Sequence, residues 1–325
     1  MTTDTMTVVR EVELELEVEQ AHAAADGVLA LTLVDPSGSA LPRWTPGAHV
    51  DLMLESGLTR QYSLCGDPRD SHRWRVAVLR SDDGRGGSRS IHESLKSGSR
   101  LKVRGPRNHF PLVRASSYRF IAGGIGITPL LPMIREVQAA GDEWSLTYCG
   151  RSIASMAFVD ELLEFGDKVR IAPSDQVGRI DLAEAVGDDD GSLIYCCGPE
   201  GLLEAVESVV STRPDRSSSL KVERFAAKAA VDDDGPEDAF EVVLQRSGKK
   251  LTVEPGQSVF DVVQEAGVSV LGSCFEGVCG TCETGVISGD VDHRDSILSD
   301  EERESNEYML ICVSRCTSGR LTLDL

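Results

Sequence analysis

No run in this 325-residue chain approaches the roughly 18 uninterrupted apolar residues of a membrane span. Its start, MTTDTMTVVREVELELEVEQ, lacks the basic flank and apolar centre of a secretory signal. Both absences predict a soluble, cytoplasmic protein with no membrane partner. Positive charge is also short: 33 Lys and Arg against 53 Asp and Glu leave a formal net charge of -20. Such a surface would repel phosphate backbones, so nucleic acid is not an expected partner; it suits solubility alone or docking to a basic protein. The nine cysteines are an odd number in a chain expected to stay in a reducing compartment. That argues against a disulfide framework and for metal or redox chemistry wherever they cluster. With 41% hydrophobic residues and 31 glycines, the composition is that of a folded protein long enough for two or three domains.

Three cysteines do cluster, in CFEGVCGTC (274–282). The spacing Cys274-x4-Cys279-x2-Cys282-x29-Cys312 follows the arrangement of a plant-type 2Fe-2S centre, in which three thiolates on one loop and a distant fourth hold two irons. Structural zinc is the competing use of four thiolates, and would make the chain a non-enzymatic interaction protein. Zinc ribbons, however, usually present two short C-x2-C pairs. Cys316 rivals Cys312 as the fourth ligand, and the apolar run before Cys312 favours the latter. Upstream, FEVVLQRSGKKLTVEPGQSVFDVVQEAG reads as two alternating strands joined by a turn at Ser247-Gly248, then a helix beginning near Ser258. The chain closes on another strand, GRLTLDL. These features over 240–325 resemble the β-grasp fold of plant-type ferredoxins. The small, acidic stretch before them reads as a linker, 227–239.

A 2Fe-2S centre carries one electron at a time and needs a source upstream. YRFIAGGIGITPLLPMIREVQAA reads as a strand, a glycine turn at Gly123, Gly124 and Gly126, and a helix from about Thr128-Pro129. The free N–H groups and dipole at that helix start favour a phosphate. The strict G-x-G-x-x-G pattern is not matched, so the turn alone is weak. EWSLTYCGRS, DKVRIAPSD and SLIYCCGPEGLLEAVESVV add three strand-like runs separated by helical segments. That is the pattern of a parallel α/β sheet with its ligand at the strand C-termini. These segments resemble the ferredoxin-NADP reductase superfamily, where a strand ending in C-G-P lies beside the nicotinamide and a GGIGITP-like turn takes the pyrophosphate. The resemblance implies that Cys197, with Gly198 and Pro199, lies near the hydride-donating carbon while Cys196 points into the core. A buried small hydrophobe is the plainer use of Cys197.

Nicotinamide gives two electrons and the cluster takes one; flavin is the cofactor that converts between them. The first 115 residues hold six short strand patterns with Gly, Pro and Asp turns, the signature of a small antiparallel barrel. Within it RQYSL (60–64) resembles the superfamily's R-x-Y-S flavin motif. That implies Arg60 on the flavin phosphate, where a forked guanidinium binds two oxygens, Tyr62 on the ring and the Ser63 hydroxyl near its reactive nitrogen. GRGGS (84–88) offers main-chain N–H groups and the Ser88 hydroxyl as a second anion-binding loop. His49, His92 and His109 lack metal-ligand spacing and read as hydrogen-bonded surface or edge residues.

The expected architecture is multidomain α+β: a six-stranded antiparallel flavin-binding barrel (1–114), an α/β nicotinamide-nucleotide-binding domain (115–226), the linker, and a C-terminal β-grasp 2Fe-2S ferredoxin domain (240–325). That order, with the strings GRGGS, AGGIGITP, YCCGP, DHRD, CVSR and LTLDL, resembles the phthalate dioxygenase reductase family, including the reductase components of vanillate O-demethylase systems. The resemblance implies FMN rather than FAD, NADH in preference to NADPH, one 2Fe-2S cluster and a monomer. It also implies a separate terminal oxygenase as acceptor, Rieske-type favoured and a haem monooxygenase the alternative. By motif match it implies flavin contacts at Arg60, Gln61, Tyr62, Ser63, Ala77, Val78, Leu79, Arg85, Gly86, Gly87, Ser88, Thr128 and Phe225, with Ser63 and Cys197 nearest the chemistry. Phe225 would pack near the ring where barrel, nucleotide domain and linker meet. Arg151 could accommodate a 2'-phosphate whereas Asp175 would repel one, which favours NADH.

Overall fold

The computed structural model describes residues 12–81, 86–188, 190–213, 219–226 and 238–325, and the chain divides into two compact units, Met1–Glu223 and Arg224–Leu325. The first unit opens with β1 (Val12–Ala25), β2 (Val28–Val34), β3 (Ala48–Met53), β4 (Thr59–Ser63), β5 (Trp74–Leu79), α1 (Gly87–Ser94) and β6 (Arg100–Asn108). The strands form an antiparallel sheet in the order β4-β3-β6-β1-β2-β5, and a bridge between Leu64 and Val76 brings its edges together. Period-two alternation along β1 buries Leu16 and Val18 and turns Glu13, Glu15 and Glu17 outward. Those glutamates face Arg104, Lys102 and Arg100 across the β1–β6 pair, so opposite charges support the register that the apolar row requires. Asp51 on β3 is fully buried and accepts from Arg104 at 2.8 Å and Arg107 at 2.6 Å. Both guanidiniums are nearly buried too, and stripping one partner from such a group costs about 3–5 kcal/mol.

His49 corrects the sequence reading. It is buried rather than at a surface or edge, because alternation turns it away from the barrel core that takes Val50, and His109 stacks on it at 5.7 Å. Burial holds its imidazole well below the ordinary value.

The unit continues through β7 (Ser117–Gly123), α2 (Ile127–Ala140), β8 (Glu143–Gly150), α3 (Val159–Leu163), β9 (Val169–Pro173), α4 (Ser174–Val177), α5 (Leu182–Val186), β10 (Leu193–Cys197), α6 (Glu200–Ser211) and β11 (Leu220–Glu223). The five strands are parallel in the order β11-β10-β7-β8-β9, with β11 an edge strand that its short LKVE sequence does not announce. The chain runs outward from β7 through β8 and β9, then returns to the other side of β7 for β10. The crevice of this sheet therefore opens between the C-terminal ends of β7 and β10, at Gly123 and Cys197. Cys65, Ala77 and Phe110 of the barrel share one buried core with Phe120, Tyr148 and Cys197 of this sheet. The two sheets expected to be separate domains consequently form one compact unit.

The second unit contains β12 (Phe240–Leu244), β13 (Lys250–Val253), α7 (Val259–Glu265), β14 (Glu283–Ser288), β15 (Val291–Asp292), α8 (Asp300–Ser305), β16 (Tyr308–Leu310), β17 (Arg315–Cys316) and β18 (Arg320–Leu323). The main sheet runs β13-β12-β18-β14-β16, with β12 and β18 parallel, and β15 pairs with β17 beside it. Ser258 caps α7 by accepting from the Asp261 N–H at 3.0 Å. Val259, Phe260 and Val263 then pack with Val242, Leu321 and Leu323. Of the expected linker, only 238–239 fall within the described residues.

Candidate functional site

At the crevice, Gly126 lies so close to β10 that a Cβ there would sit 2.3 Å from the Cys197 carbonyl oxygen. A Cβ on Gly198 would fall 2.9 Å from Gly123 Cα, and Pro199 stands at the N-cap of α6. Gly124 differs: its φ of +53 is in the left-handed region and nothing lies within 4 Å of its Cβ position. The turn thus leaves open main chain at the start of α2, as an incoming phosphate needs. Thr128 is buried and its hydroxyl donates to the Ile125 carbonyl at 2.9 Å, which braces the turn and leaves the hydroxyl oxygen able only to accept from a ligand. At the β8 and β9 ends, the Asp175 N–H donates to the Arg151 carbonyl at 3.0 Å, which brings these two expected residues together.

Cys197 is fully buried, and its Sγ lies 3.9 Å from a Glu223 carboxyl oxygen. Burial, with Glu223 beside it, pushes the thiol well up; burial also raises the Glu223 carboxyl to about 8. Sequence reasoning missed Glu223, because β11 carries no local mark of a partner 26 residues back. Its raised value makes a sign-definite prediction. Between about 4.5 and 8 the folded chain holds a proton that the unfolded chain has lost, so this group's stabilising contribution fades as pH rises through that window. The stability difference between wild type and Glu223→Gln, from urea unfolding at several pH values, should therefore shift against wild type from pH 4.5 to 8. A pH-independent difference would contradict the assignment.

On β4 the Arg60 side chain lies across α1: a Cβ on Gly87 would fall 2.5 Å from Arg60 Nε. Gly86, at φ +82, is the N-cap of α1, so the expected loop runs straight into a helix whose first turn holds Gly87 and Ser88. Ser88 Oγ is committed to the Ser81 backbone, accepting from its N–H at 3.0 Å, while Arg85 lies outside the described residues. Gln61 Nε2 is buried without a hydrogen-bond partner, and Ser63 is buried beside it on the strand. Burial raises the Tyr62 hydroxyl above its ordinary value. The next strand divides its expected contacts. Ala77 packs in the shared core, Val78 points into the barrel core and can offer a ligand only main chain, and Leu79 is 44% exposed. Phe225 is 43% exposed and belongs to the second unit, so ordinary core packing does not hold it. The orphaned Gln61 amide and the Arg60–Gly87 junction fit a phosphate-bearing flavin along β4.

In the second unit the four expected thiols form one group. Cys274 is in hydrogen-bonding reach of Cys279 and Cys312, and Cys312 also of Cys282. The Glu276 N–H donates to Cys274 Sγ at 3.3 Å. The hydrogen bond with Cys274 and burial push the Cys279 thiol up, so metal must displace its proton. Cys316 instead sits on β17 opposite Val291, its sulfur 3.6 Å from Ser318 Oγ. Among the described residues, no three His, Cys, Asp or Glu side chains converge as a ready-made metal site, and the four thiols meet in pairs. The thiol set, with main-chain N–H groups turned toward sulfur, fits a thiolate-held cluster.

Residues 242–317 match the 2Fe-2S iron-sulfur cluster binding domain and residues 120–208 the oxidoreductase NAD-binding domain. The chain is 42% identical over 316 residues to the phenoxybenzoate dioxygenase subunit beta of Ectopseudomonas oleovorans, covering 96% of this chain and 97% of that one. It is 37% identical over 319 residues to the phthalate 4,5-dioxygenase oxygenase reductase subunit of Pseudomonas putida, covering 95% and 96%. The solved structure of phthalate dioxygenase reductase superposes with a TM-score of 0.69 at 35% identity, over 96% of this chain and 98% of that one. An intact type IV self-sufficient cytochrome P450 monooxygenase gives 0.90 at 42% identity over 97% of this chain, which spans 41% of that longer protein. A nucleotide-binding sheet joined to a barrel, with a 2Fe-2S domain in the same chain, defines an electron-transferring oxidoreductase. The chain belongs to the phthalate dioxygenase reductase family. No helix among its described residues is long and apolar enough to cross a membrane.

Proposed function

We propose that this chain is the reductase component of a multicomponent oxygenase, drawing electrons from NADH and delivering them singly, through FMN and a 2Fe-2S cluster, to a separate terminal oxygenase. The supporting observation is the shared core: Cys65 and Ala77, which follow the flavin motif and lie on the next strand, pack with Cys197 of the nucleotide crevice. When bound, flavin supplies the exchange between a two-electron hydride and the single electrons of the cluster. Arg60 and the Gly86–Ser88 main chain hold its phosphate, Gln61 and Tyr62 hold its ring, and Ser63 lies at the reactive edge. The open turn at Gly124 and the start of α2 hold the nucleotide pyrophosphate, while Cys197, Gly198 and Pro199 wall the nicotinamide side. Asp175, beside Arg151, disfavours a 2'-phosphate and so selects NADH. Cys274, Cys279, Cys282 and Cys312 ligate the cluster.

Residues 240–325 carry 15 Asp and Glu against 7 Lys and Arg, a formal -8 that suits docking to a basic patch. The chain acts in the cytoplasm as a monomer, with a Rieske-type oxygenase or demethylase as the favoured acceptor. A haem monooxygenase is the second reading, supported by the likeness to the self-sufficient cytochrome P450. Reconstitution of NADH-driven turnover with one oxygenase of each type, across a salt series, separates the two. The favoured reading expects faster turnover with the Rieske-type protein, falling as salt rises; efficient coupling to the haem protein alone would overturn it.

A further inference from the structure

The barrel and the nucleotide sheet are also tied by an ion cluster that none of the steps above uses. Arg75 on β5, two residues before Ala77, meets Glu161 on α3 through a forked pair, Nη1 to Oε1 at 2.6 Å and Nη2 to Oε2 at 3.1 Å. The same Nη2 donates to the Cys65 carbonyl at 2.9 Å, just past the RQYSL strand, and the guanidinium lies 4.6 Å from the Phe158 ring centroid. Arg135, about two turns along α2 from Thr128, donates to Oε2 of the same carboxylate, the oxygen that also accepts from Arg75 Nη2. All three side chains are half-buried. Burial alone would raise the Glu161 carboxyl, but the Arg75 and Arg135 guanidiniums outweigh it and hold the group below its ordinary value. The Asp26 N–H also donates to the Ala154 carbonyl at 2.7 Å, a main-chain link between the same two parts.

The apolar core that joins the sheets brings them together without fixing direction. A forked guanidinium–carboxylate pair is directional; this one links the strand after the flavin motif to α3, and Arg135 ties the same carboxylate to α2, the helix that starts at the nucleotide turn. We propose that Arg75, Glu161 and Arg135 are positioning residues that set the register of the flavin strands against the nucleotide helix, and with it the donor–acceptor geometry of hydride transfer. The proposal rests on the flavin and nucleotide assignments made above. Reacting atoms need about 3–3.5 Å between them, and a displacement of about 1 Å costs on the order of 100-fold in rate.

The test is anaerobic stopped-flow reduction of the holoprotein by NADH. Glu161→Gln should slow flavin bleaching by on the order of 10- to 100-fold, with the Kd for NADH within about threefold of wild type. Arg75→Lys keeps the charge but loses the fork; it should show the same split, and serves if Glu161→Gln does not fold. In flavin-free protein, amide exchange at Asp26 should quicken in both variants, and the EPR signal of the dithionite-reduced cluster should not change. Unaltered bleaching rates in folded variants would overturn the proposal, as would a slowing traced wholly to weaker NADH binding. Failure of NADH to reduce wild type would instead sink the functional reading, and the positioning claim with it.

Discussion

Cys279→Ser is expected to abolish electron delivery to a protein acceptor while leaving NADH oxidation by ferricyanide, taken at the flavin, largely intact. Cys279 is the most buried of the four thiols and sits between Cys274 and Thr281 in the hydrogen-bonded group. A serine hydroxyl is a harder, less readily ionised ligand than thiolate, so the cluster loses one of its four attachments. Loss of an outer partner alone typically costs about 10–100-fold in metal affinity, and loss of a ligand should cost more. Iron content, the EPR signal of the reduced cluster and cytochrome c reduction would all fall together. Equal loss of the ferricyanide activity would contradict the order of electron flow, because that step precedes the cluster.

Arg60→Ala should release the flavin. Charge-assisted hydrogen bonds contribute about 1.5–3 kcal/mol each, so losing even one such phosphate bond predicts a Kd for FMN raised by at least about 10- to 100-fold. The Arg60 stem also packs across Gly87, so the variant loosens the start of α1 as well. Fluorescence titration of flavin-stripped protein checks it, and FAD titrated in parallel tests the preference for FMN. An unchanged flavin affinity would remove Arg60 from the phosphate.

What could be read from the chain was chemistry that is also spacing. The cluster loop, the glycine turn before α2 and the Ser258 cap declare themselves because each needs particular residue types at fixed short offsets. Residues whose partners are distant in sequence stayed hidden: Glu161 looks like any exposed helical glutamate until Arg75, 86 residues earlier, is folded against it. Glu223 is equally silent in LKVE, and His49 reads as a surface residue because nothing in the sequence announces its burial beneath His109. α8 was legible but unread: Ser299 and Glu302 form a capping box, with Glu302 Oε2 accepting from the Ser299 N–H at 2.8 Å. The expected boundary between the barrel (1–114) and the nucleotide domain (115–226) follows composition and motif, whereas one buried core takes residues from both sides of it.

Electrons are expected to pass from NADH through flavin to the cluster, and an anaerobic titration of the purified holoprotein with NADH, following flavin absorbance together with the EPR spectrum, reads both steps at once. Flavin should bleach and a reduced 2Fe-2S signal should grow in as NADH is added. Bleaching without that signal, or neither change with NADH or NADPH, would contradict that route.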